Sequence, residues 1–155
     1  MFTKNISLIL PVYNEKESLK ELYEEAITVI EGLNLDYEMI FVDDGSKDGS
    51  SQLLRDLESK DRKISVSHLN KHSGKTQALR FGIRQAKGDI IVTMDSDLQD
   101  DPKDIPYLIQ KLKEGYGLVC GWRWKRKAGI FKTILSKVFN VIVSLITGIG
   151  LHYPA

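Results

Sequence analysis

Short apolar runs rich in β-branched residues alternate along the chain with longer segments in which apolar residues recur every three or four positions. The short runs are typical of buried strands, and the longer segments have the spacing of amphipathic helices. Five runs are predicted as strands: Ile6 to Leu10, Glu38 to Val42, Ile64 to Leu69, Asp89 to Met94 and Gly117 to Gly121. Because parallel neighbours need crossover connections, this alternation predicts an open α/β fold, with a mostly parallel sheet covered by helices on both faces.

Four amphipathic helices are predicted between these strands, each with one apolar stripe. The stripes are Leu19, Leu22, Ala26, Val29 and Ile30; Leu53, Leu54 and Leu57; Ala78, Leu79, Ile83 and Ala86; and Ile105, Leu108, Ile109 and Leu112. In open α/β sheets, ligands bind beyond the carboxyl ends of the strands. The residues that directly follow each predicted strand are therefore the candidates for function.

Length and composition limit the classes of protein that this chain can belong to. Its 155 residues suffice for one domain, and 22 basic against 21 acidic residues give no overall field that would attract nucleic acid. Cys120 is the only cysteine, which excludes an internal disulfide, fits a reducing compartment and predicts a small core residue. No secretory signal is visible, and the uncharged segment from Val138 to Leu151 is shorter than the roughly 20 residues that span a bilayer.

The acidic stretch "MDSDLQDD" after the fourth strand is the strongest chemical signal. Asp95 and Asp97 are two positions apart at the end of an extended run, so their carboxylates project to the same side. A divalent cation such as Mg²⁺ or Mn²⁺, shared with substrate phosphates, would relieve their repulsion. Capping of a helix that begins near Pro102 explains Asp100 or Asp101, but it does not explain the earlier pair.

The second strand is followed by "DDGSKDGS". Asp43 and Asp44 stand where acidic residues of nucleotide-binding α/β folds accept hydrogen bonds from a ribose or a base. Ordinary turn chemistry explains the same letters, with Ser46 or Asp48 as the cap of the next helix. Both interpretations stay open for this stretch.

The first and third strands are also followed by polar residues. In "PVYNE", Tyr13 offers a ring that can stack on a base, while Asn14 either contacts a ligand or caps a helix that begins near Glu15. In "LNKHSGKT", the Ser-Gly-Lys-Thr sequence suggests a P-loop, but Leu69 stands where that motif needs a glycine. The P-loop pattern is therefore incomplete.

A basic run, "WRWKRK", follows the fifth predicted strand. It could hold an anionic phosphate while its two tryptophans lie at a membrane interface, or it could be a solvated loop or a nonspecific nucleic-acid patch. The broad apolar stripe from Ile130 to Val143 fits either a helix on an anionic membrane surface or a core helix. The cationic residues of the run are Arg123, Lys125, Arg126 and Lys127.

Together, "PVYNE", "VDDGS", the N-K-H-S-G-K segment and above all "MDSDLQDDP" resemble the inverting family-2 glycosyltransferases, which have the nucleotide-sugar-binding GT-A fold. "DLQDDP" followed by a basic stretch is more narrowly similar to the dolichol- or undecaprenyl-phosphate hexosyltransferases. The similarity covers most of the chain, in the right order and at the strand ends.

This resemblance implies a metal-dependent enzyme that transfers a hexose from a UDP- or GDP-sugar to a polyprenyl phosphate, with inversion. It implies Mg²⁺ or Mn²⁺ at Asp95, Asp97 and Gln99, and catalytic roles for Asp97 and for Asp100 or Asp101. The implied contacts to the sugar nucleotide are Pro11, Tyr13, Glu15, Asp43, Asp44, Lys71, Lys75, Asp95 and Ser96. The implied contacts to the acceptor phosphate are Arg123, Lys125, Arg126 and Lys127.

The resemblance also divides the chain. Residues 1–121 are expected to form the nucleotide-sugar-binding core, and residues 122–155 an incomplete acceptor or membrane-interface segment. The family's catalytic domain ordinarily continues with a further acceptor-site motif, whereas this chain stops at "LHYPA", so we expect a truncated chain. The expected location is the cytoplasmic face of a membrane, with no nucleic acid as partner. The base, the sugar, the lipid and the assembly, including a homo-oligomer, are left open.

Four other functions compete with this interpretation. Within the same fold the sugar could go to a glycan hydroxyl, or the chain could be an inactive nucleotide-sugar-binding fragment. A phosphoacceptor receiver domain needs its acidic pair after the first strand, where "PVYN" stands, and a lysine after the fifth, where Trp122 stands. A P-loop phosphotransferase needs the glycine that Leu69 replaces.

Overall fold

The structure is a computed structural model that describes residues 5–121. The predicted alternation of strands and helices is confirmed over these residues, and a single 3₁₀ turn, Pro102–Asp104, precedes the last helix. The strands are β1 (Ile6–Val12), β2 (Tyr37–Asp43), β3 (Ile64–His68) and β4 (Ile90–Thr93). The helices are α1 (Lys16–Glu31), α2 (Ser50–Lys60), α3 (Lys75–Gln85) and α4 (Ile105–Lys113).

The four strands form one parallel sheet in the order β3-β2-β1-β4. Leu8 in the central strand β1 lies opposite Met39 of β2 on one side and Val92 of β4 on the other. The chain adds β2 and β3 on one side of β1 and then places β4 on the other side. This reversal of strand order creates a crevice at the carboxyl ends of β1 and β4, which is where open α/β sheets bind ligands.

Helices cover both faces of the sheet, as predicted. On one face, buried residues of α1, α2 and α4 pack with Leu8, Leu10, Met39 and Phe41 of the sheet. On the other face, Ala78 of α3 packs with Ile9, Ile40 and Val42. Helix α3 approaches the sheet closely at Gly82, where a Cβ atom would lie 2.4 Å from Cγ2 of Ile9.

Two sequence predictions about the end of the described region are wrong. Gly117 to Gly121 does not form a strand, and Cys120 is exposed, not a core residue. An apolar run becomes a strand only when its backbone pairs with a neighbour. Strand β4 is only four residues long, and Ile91 in that strand is 45% exposed. Leu118 of the unpaired run is correspondingly 79% exposed.

The predicted apolar stripe of helix α3 is confirmed except at Ile83. The fully or nearly buried positions of the helix are Ala78 and Gly82, which lie one turn apart, whereas Ile83 of the predicted stripe is 44% exposed. Leu79 and Ala86 of the stripe are partly buried and pack against the same cluster as Ala78. Gly82 is the buried position that the prediction missed, because sequence patterns give glycine no apolar weight. The other three stripes contain the buried apolar positions of α1, α2 and α4.

The C-terminal predictions lie beyond this part of the structure. The basic run and the apolar stripe fall within residues 122–155, which are outside the described residues, so the division at residue 121 stays a prediction. Across residues 5–121, none of the helices combines the length and the apolar character needed to cross a membrane.

Candidate functional site

An open cavity of about 280 Å³ lies at the crevice beyond the carboxyl ends of β1 and β4. Its walls come from the segments after β1, β2, β3 and β4, so they bring together stretches that are far apart in sequence. The lining residues are Pro11, Val12, Tyr13, Glu15, Asp44, His72, Lys75, Ala78, Asp95, Ser96 and Asp97.

Most of the predicted sugar-nucleotide and metal residues lie together in this cavity. The eight that line it are Pro11, Tyr13, Glu15, Asp44, Lys75, Asp95, Ser96 and Asp97. Five other described candidates do not line it, namely Asp43, Lys71, Gln99, Asp100 and Asp101. The four predicted acceptor cations, Arg123, Lys125, Arg126 and Lys127, lie outside the described residues.

The loop after β4 is fixed by hydrogen bonds to its neighbours. The Ser96 hydroxyl donates to the Pro11 carbonyl oxygen at 2.7 Å, and the Ser96 carbonyl accepts from the Ser18 hydroxyl at 2.7 Å. Within the loop, the Asp95 backbone N–H donates to Oδ2 of Asp100 at 3.0 Å. Asp100 therefore holds the backbone of the loop that carries Asp95, while Asp101 caps the following 3₁₀ turn as predicted.

Two aspartates of this loop face the cavity in different environments. Asp95 is ion-paired through Oδ1 with the Lys75 ammonium, and the two side chains are 21% and 58% exposed. Asp97 is exposed, and its Oδ1 accepts the backbone N–H of Gln99 at 3.1 Å. Both aspartates line the cavity, although β4 itself ends at Thr93.

Glu15 adds a third carboxylate to the same cavity. Burial raises its pKa above the ordinary value of 4.5, although a hydrogen bond from Ser18 acts in the opposite direction. The nearby carboxylates of Asp97, Asp48 and Asp95 raise this pKa further. The mouth of the cavity is therefore a place of concentrated negative charge, which favours cations.

The carboxylates fit a divalent cation that is shared with a ligand. Over the described residues, no group of three His, Cys, Asp or Glu side chains is arranged to hold a metal ion. Mg²⁺ is commonly held by one or two carboxylates together with substrate phosphates. Asp95 and Asp97 provide that carboxylate pair, whereas Gln99, the third predicted ligand, is exposed and does not line the cavity.

On the opposite wall, Tyr13, Asp44 and the loop between β3 and α3 form one bonded unit. Tyr13 stacks on His72 with ring centroids 3.8 Å apart and an interplanar angle of 23°. His72 Nδ1 lies 2.8 Å from Oδ2 of Asp44, which is 2% exposed. The Asp44 carboxylate also accepts the backbone N–H groups of Ser73 at 2.7 Å and Gly74 at 2.8 Å. Asp44 thus orders the loop that leads into α3.

Glycine is required where this loop meets the loop after β2. Gly45 has a φ of +79°, and a Cβ atom there would lie 3.0 Å from the backbone nitrogen of His72. Gly74 has a φ of +90°, although a Cβ atom there would meet no atom within 4 Å. Gly45 therefore allows both the turn and the close approach, while Gly74 is needed for its backbone angle alone.

Asp43 supports the turn after β2 from outside the cavity lining. Asp43 is 1% exposed, and its side chain accepts hydrogen bonds from the Ser46 backbone N–H, at 2.9 Å, and from the Ser51 hydroxyl. His68 Nδ1 lies 2.9 Å from Oδ2 of Asp43. Burial acts to raise the pKa of Asp43, but the hydrogen bonds from Ser46, Ser51 and His68 outweigh it and lower this pKa below its ordinary value. Asp43 is therefore a buried anion that its neighbours stabilise.

The interpretation of Asn14 as a helix cap is wrong. Asn14 has a φ of +56°, and its side-chain oxygen accepts the backbone N–H of Lys47 at 2.8 Å. The first turn of α1 is instead satisfied by the loop after β2, since Asp48 accepts the Lys16 N–H at 2.9 Å. Asp48 also accepts the Ser50 N–H at 2.9 Å, but the N-cap position of α2 is Gly49 and not the predicted Ser46 or Asp48.

His72 is the site residue that sequence reasoning missed. It stands in the polar segment after the third predicted strand, where only the lysines and the glycine were considered. The available signal was an aromatic side chain at a strand end, the same feature that singled out Tyr13. Its pairing with Tyr13 and Asp44 depends on three loops meeting, which no local pattern reveals.

The chain belongs to glycosyl transferase family 2, because the model of that family matches residues 7–152. The cavity and the parallel sheet are thus those of a family-2 glycosyltransferase domain.

The chain is similar to undecaprenyl-phosphate 4-deoxy-4-formamido-L-arabinose transferases. It is 38% identical to the one from Pectobacterium atrosepticum over 146 residues, which cover 94% of this chain and 45% of that protein. It is also 38% identical to the one from Pseudomonas fluorescens over 147 residues, covering 94% and 43% of the two chains. The chain thus spans less than half the length of these curated relatives.

Solved structures show the same fold. A glucosyl-3-phosphoglycerate synthase from Mycobacterium tuberculosis, in complex with Mn²⁺, UDP and phosphoglyceric acid, is 28% identical with a TM-score of 0.58. That match covers 74% of this chain and 41% of the synthase. A mannosyltransferase from Pyrobaculum calidifontis in complex with GDP-Man and Mn²⁺ has a TM-score of 0.56 at 24% identity, over 62% of this chain and 28% of that one. The predicted GT-A architecture is confirmed.

Proposed function

We propose that this chain is the sugar-nucleotide-binding part of a metal-dependent glycosyltransferase, which transfers a sugar from a UDP- or GDP-sugar to a polyprenyl phosphate with inversion. The observation that carries the proposal is the meeting of Tyr13, Asp44, Lys75, Asp95 and Asp97 in one cavity at the carboxyl ends of the strands. These side chains match the parts of a sugar nucleotide and its metal. The aromatic ring and the buried carboxylate suit the base and ribose, the lysine suits the diphosphate, and the other two carboxylates suit a cation bound to the diphosphate.

The base and ribose are assigned to the wall formed by Tyr13 and Asp44. The Tyr13 ring is 40% exposed and can stack on a base, and the Asp44 carboxylate can accept a base N–H or ribose hydroxyl. Lys75 begins α3, where its ammonium and the helix N-terminus both favour the negative charge of a diphosphate. Ser96 keeps these groups in register through its bond to Pro11.

Asp95 and Asp97 are the residues that would hold Mg²⁺ or Mn²⁺. Such a cation, when bound, neutralises charge that develops on the departing nucleoside diphosphate. Support comes from the carboxylate pair in the cavity and from the Mn²⁺ in the Mycobacterium tuberculosis synthase structure. Gln99 would be a further ligand of this cation.

The acceptor is assigned as a polyprenyl phosphate because the relatives from Pectobacterium and Pseudomonas are named for undecaprenyl phosphate. A phosphate oxygen is already anionic, so attack on the anomeric carbon needs less help from a general base than a sugar hydroxyl would. Asp100 or Asp101 orients this acceptor, and Arg123, Lys125, Arg126 and Lys127 hold its phosphate. Such an acceptor lies in a membrane, and we propose that the protein acts at the cytoplasmic face of that membrane.

The sugar is a hexose if the resemblance to the polyprenyl-phosphate hexosyltransferases extends to the sugar site. The named sugar of the relatives is instead an arabinose derivative, which is a pentose. A screen of sugar donors should therefore contain both kinds, each as the UDP and the GDP form.

The proposal is tested first by binding and then by transfer. Isothermal titration of the full chain with UDP, GDP and their sugars, with and without Mn²⁺, should show nucleotide binding that Mn²⁺ strengthens. A radiolabelled sugar should then appear in the lipid extract when polyprenyl phosphate is supplied. Appearance of the label in aqueous glycan would favour transfer to a hydroxyl, and binding without transfer would favour an inactive fragment. Absence of any nucleotide binding would contradict the proposal.

A further inference from the structure

The segment from His72 to Lys75 places two of its own side chains on groups that the proposed function assigns to the sugar donor and its cation. His72 occupies one face of Tyr13 and one oxygen of Asp44. Lys75 occupies one oxygen of Asp95. All five side chains line the same cavity, so the contacts are made inside the site itself.

The contacts of His72 are those that a nucleobase would make. A flat ring lies on Tyr13, with 3.8 Å between the centroids, and its Nδ1 lies 2.8 Å from a carboxylate oxygen of Asp44. A third ring between the two would need roughly twice that separation, because non-bonded carbons approach to about 3.5–4.0 Å. A base can therefore use this face of Tyr13 only after His72 has left it.

The contact of Lys75 is that of a metal ion. Its ammonium is a compact cation in direct contact with Oδ1 of Asp95, so a divalent ion that binds the same oxygen competes with this positive charge. The pair is partly exposed, at 58% for the Lys75 side chain and 21% for Asp95, so it is held weakly. A cation with twice the charge can compete for such a position.

We propose that His72 and Lys75 act as internal substitutes for the base and the cation in the free protein, and that the sugar donor and its metal compete with them for Tyr13, Asp44 and Asp95. This inference rests on the proposed function and adds to it a source of self-competition. It makes His72 a determinant of nucleotide affinity whose removal strengthens binding.

The surroundings allow both side chains to leave without disturbing the core. The His72 side chain is 51% exposed. Asp44 keeps its bonds from the Ser73 and Gly74 backbone N–H groups when His72 turns away. No atom lies within 4 Å of the place where a Cβ of Gly74 would be, so there is open space beside the segment.

When His72 and Lys75 occupy the site, only a fraction of the molecules can bind the ligand. The apparent Kd equals the intrinsic Kd divided by this open fraction, so affinity falls as the open fraction falls. Removing a stacked ring with a hydrogen bond should therefore tighten nucleotide binding by about three- to tenfold. Replacing Lys75 by a neutral side chain should tighten binding of Mn²⁺ alone by a similar factor, since the competing charge is gone. Both changes run opposite to those expected for ordinary ligand-binding residues.

The experiment uses the full chain and two separate titrations. UDP and GDP are titrated without metal into the wild-type protein and His72→Ala, and Mn²⁺ is titrated without nucleotide into the wild-type protein and Lys75→Gln. Matched controls are His68→Ala, which removes the other histidine–aspartate contact from outside the cavity, and Lys20→Gln, which removes an exposed lysine–glutamate pair on α1. Circular dichroism verifies that each variant is folded.

Tighter binding in both site variants but in neither control supports the inference. Unchanged or weaker nucleotide binding by His72→Ala, or unchanged or weaker Mn²⁺ binding by Lys75→Gln, would overturn it while leaving the proposed function intact. If His72→Ala does not fold, the His72 ring resonances of the wild-type protein decide, because UDP or GDP should remove the ring-current shift caused by Tyr13. Absence of nucleotide binding by every form, both without and with Mn²⁺, would overturn both proposals together.

Discussion

The Ser18 hydroxyl lies 2.7 Å from the carbonyl oxygen of Ser96, and this hydrogen bond ties the first turn of α1 to the residue between Asp95 and Asp97. The same hydroxyl lies 2.9 Å from Oε2 of Glu15. The carbonyl oxygen of Glu15 is a third acceptor, at 3.0 Å. A hydroxyl has one proton to donate, so the three acceptors share it. Ser18 therefore couples the acidic loop after β4 to Glu15, the N-cap residue of α1.

Ser18→Ala should weaken both the fold and the cation site. Loss of the hydrogen bond should lower the free energy of unfolding by about 1 kcal/mol, which corresponds to a Tm lower by about 2–4 °C. Binding of Mn²⁺ with UDP should weaken because the Asp95–Asp97 loop is less well fixed. Ser59→Ala is the matched control, since its hydroxyl donates to a carbonyl within α2 at an exposed position. Equal effects of the two variants would contradict the role of Ser18.

Asp97→Asn should abolish metal-dependent transfer while the protein stays folded. The amide keeps the size of the side chain but removes the charge that would hold the cation, so we expect transfer to fall by about 100-fold or more. The measurement is transfer of a radiolabelled sugar at a series of Mn²⁺ concentrations. Asp89→Asn is the control, because its carboxylate lies outside the cavity lining and accepts a backbone N–H from Asn5. Unchanged transfer by Asp97→Asn would exclude Asp97 from the cation site.

Lys75→Ala should weaken binding of the complete sugar nucleotide with its metal. In that complex the ammonium is expected on the diphosphate, where a charge-assisted contact is worth about 1.5–3 kcal/mol, or about tenfold in Kd and upwards. Titration of UDP- and GDP-sugars at saturating Mn²⁺ measures the change. Lys71→Ala gives the comparison, because Lys71 belongs to the same loop but does not line the cavity. A larger loss in Lys71→Ala would assign the diphosphate contact to Lys71.

The fold was predictable where the apolar character of a run and the spacing of its apolar residues both indicate the same kind of element. Apolar strands such as Ile6–Val12 are buried on both faces, and this burial leaves a continuous run that can be recognised in sequence. The run from Gly117 to Gly121 also has an apolar centre, but it has no partner strand in the described structure. Strand pairing is a long-range property, which explains why a local pattern assigned this run to the sheet and Cys120 to the core.

The site was predictable as a list of residues but not as a set of contacts. The parallel sheet brings strand ends to one edge, so Tyr13, Asp44 and Asp95 could be expected near one another. Asp44 accepts a hydrogen bond from the backbone of Ser73, and Asp95 forms an ion pair with Lys75. Both contacts depend on how three loops pack together, which the sequence does not show. Residues that were predicted only as ligand contacts therefore also bind one another.

The Asp43 carboxylate should make stability depend on pH on the acid side. Its pKa is lowered below the ordinary value of 3.8, because hydrogen bonds from Ser46, Ser51 and His68 outweigh its burial. A lowered pKa in the folded state means that this stabilisation is fully present above pH 3.8 and is lost as the pH falls through the folded-state pKa. Asp43→Asn should therefore lower the free energy of unfolding at pH 5 by about 1–3 kcal/mol, and the difference from wild type should shrink at more acidic pH. Urea unfolding between pH 5 and pH 3 measures this, with the exposed Asp56→Asn as control. A difference that stays constant over that range would show that the Asp43 charge does not stabilise the fold.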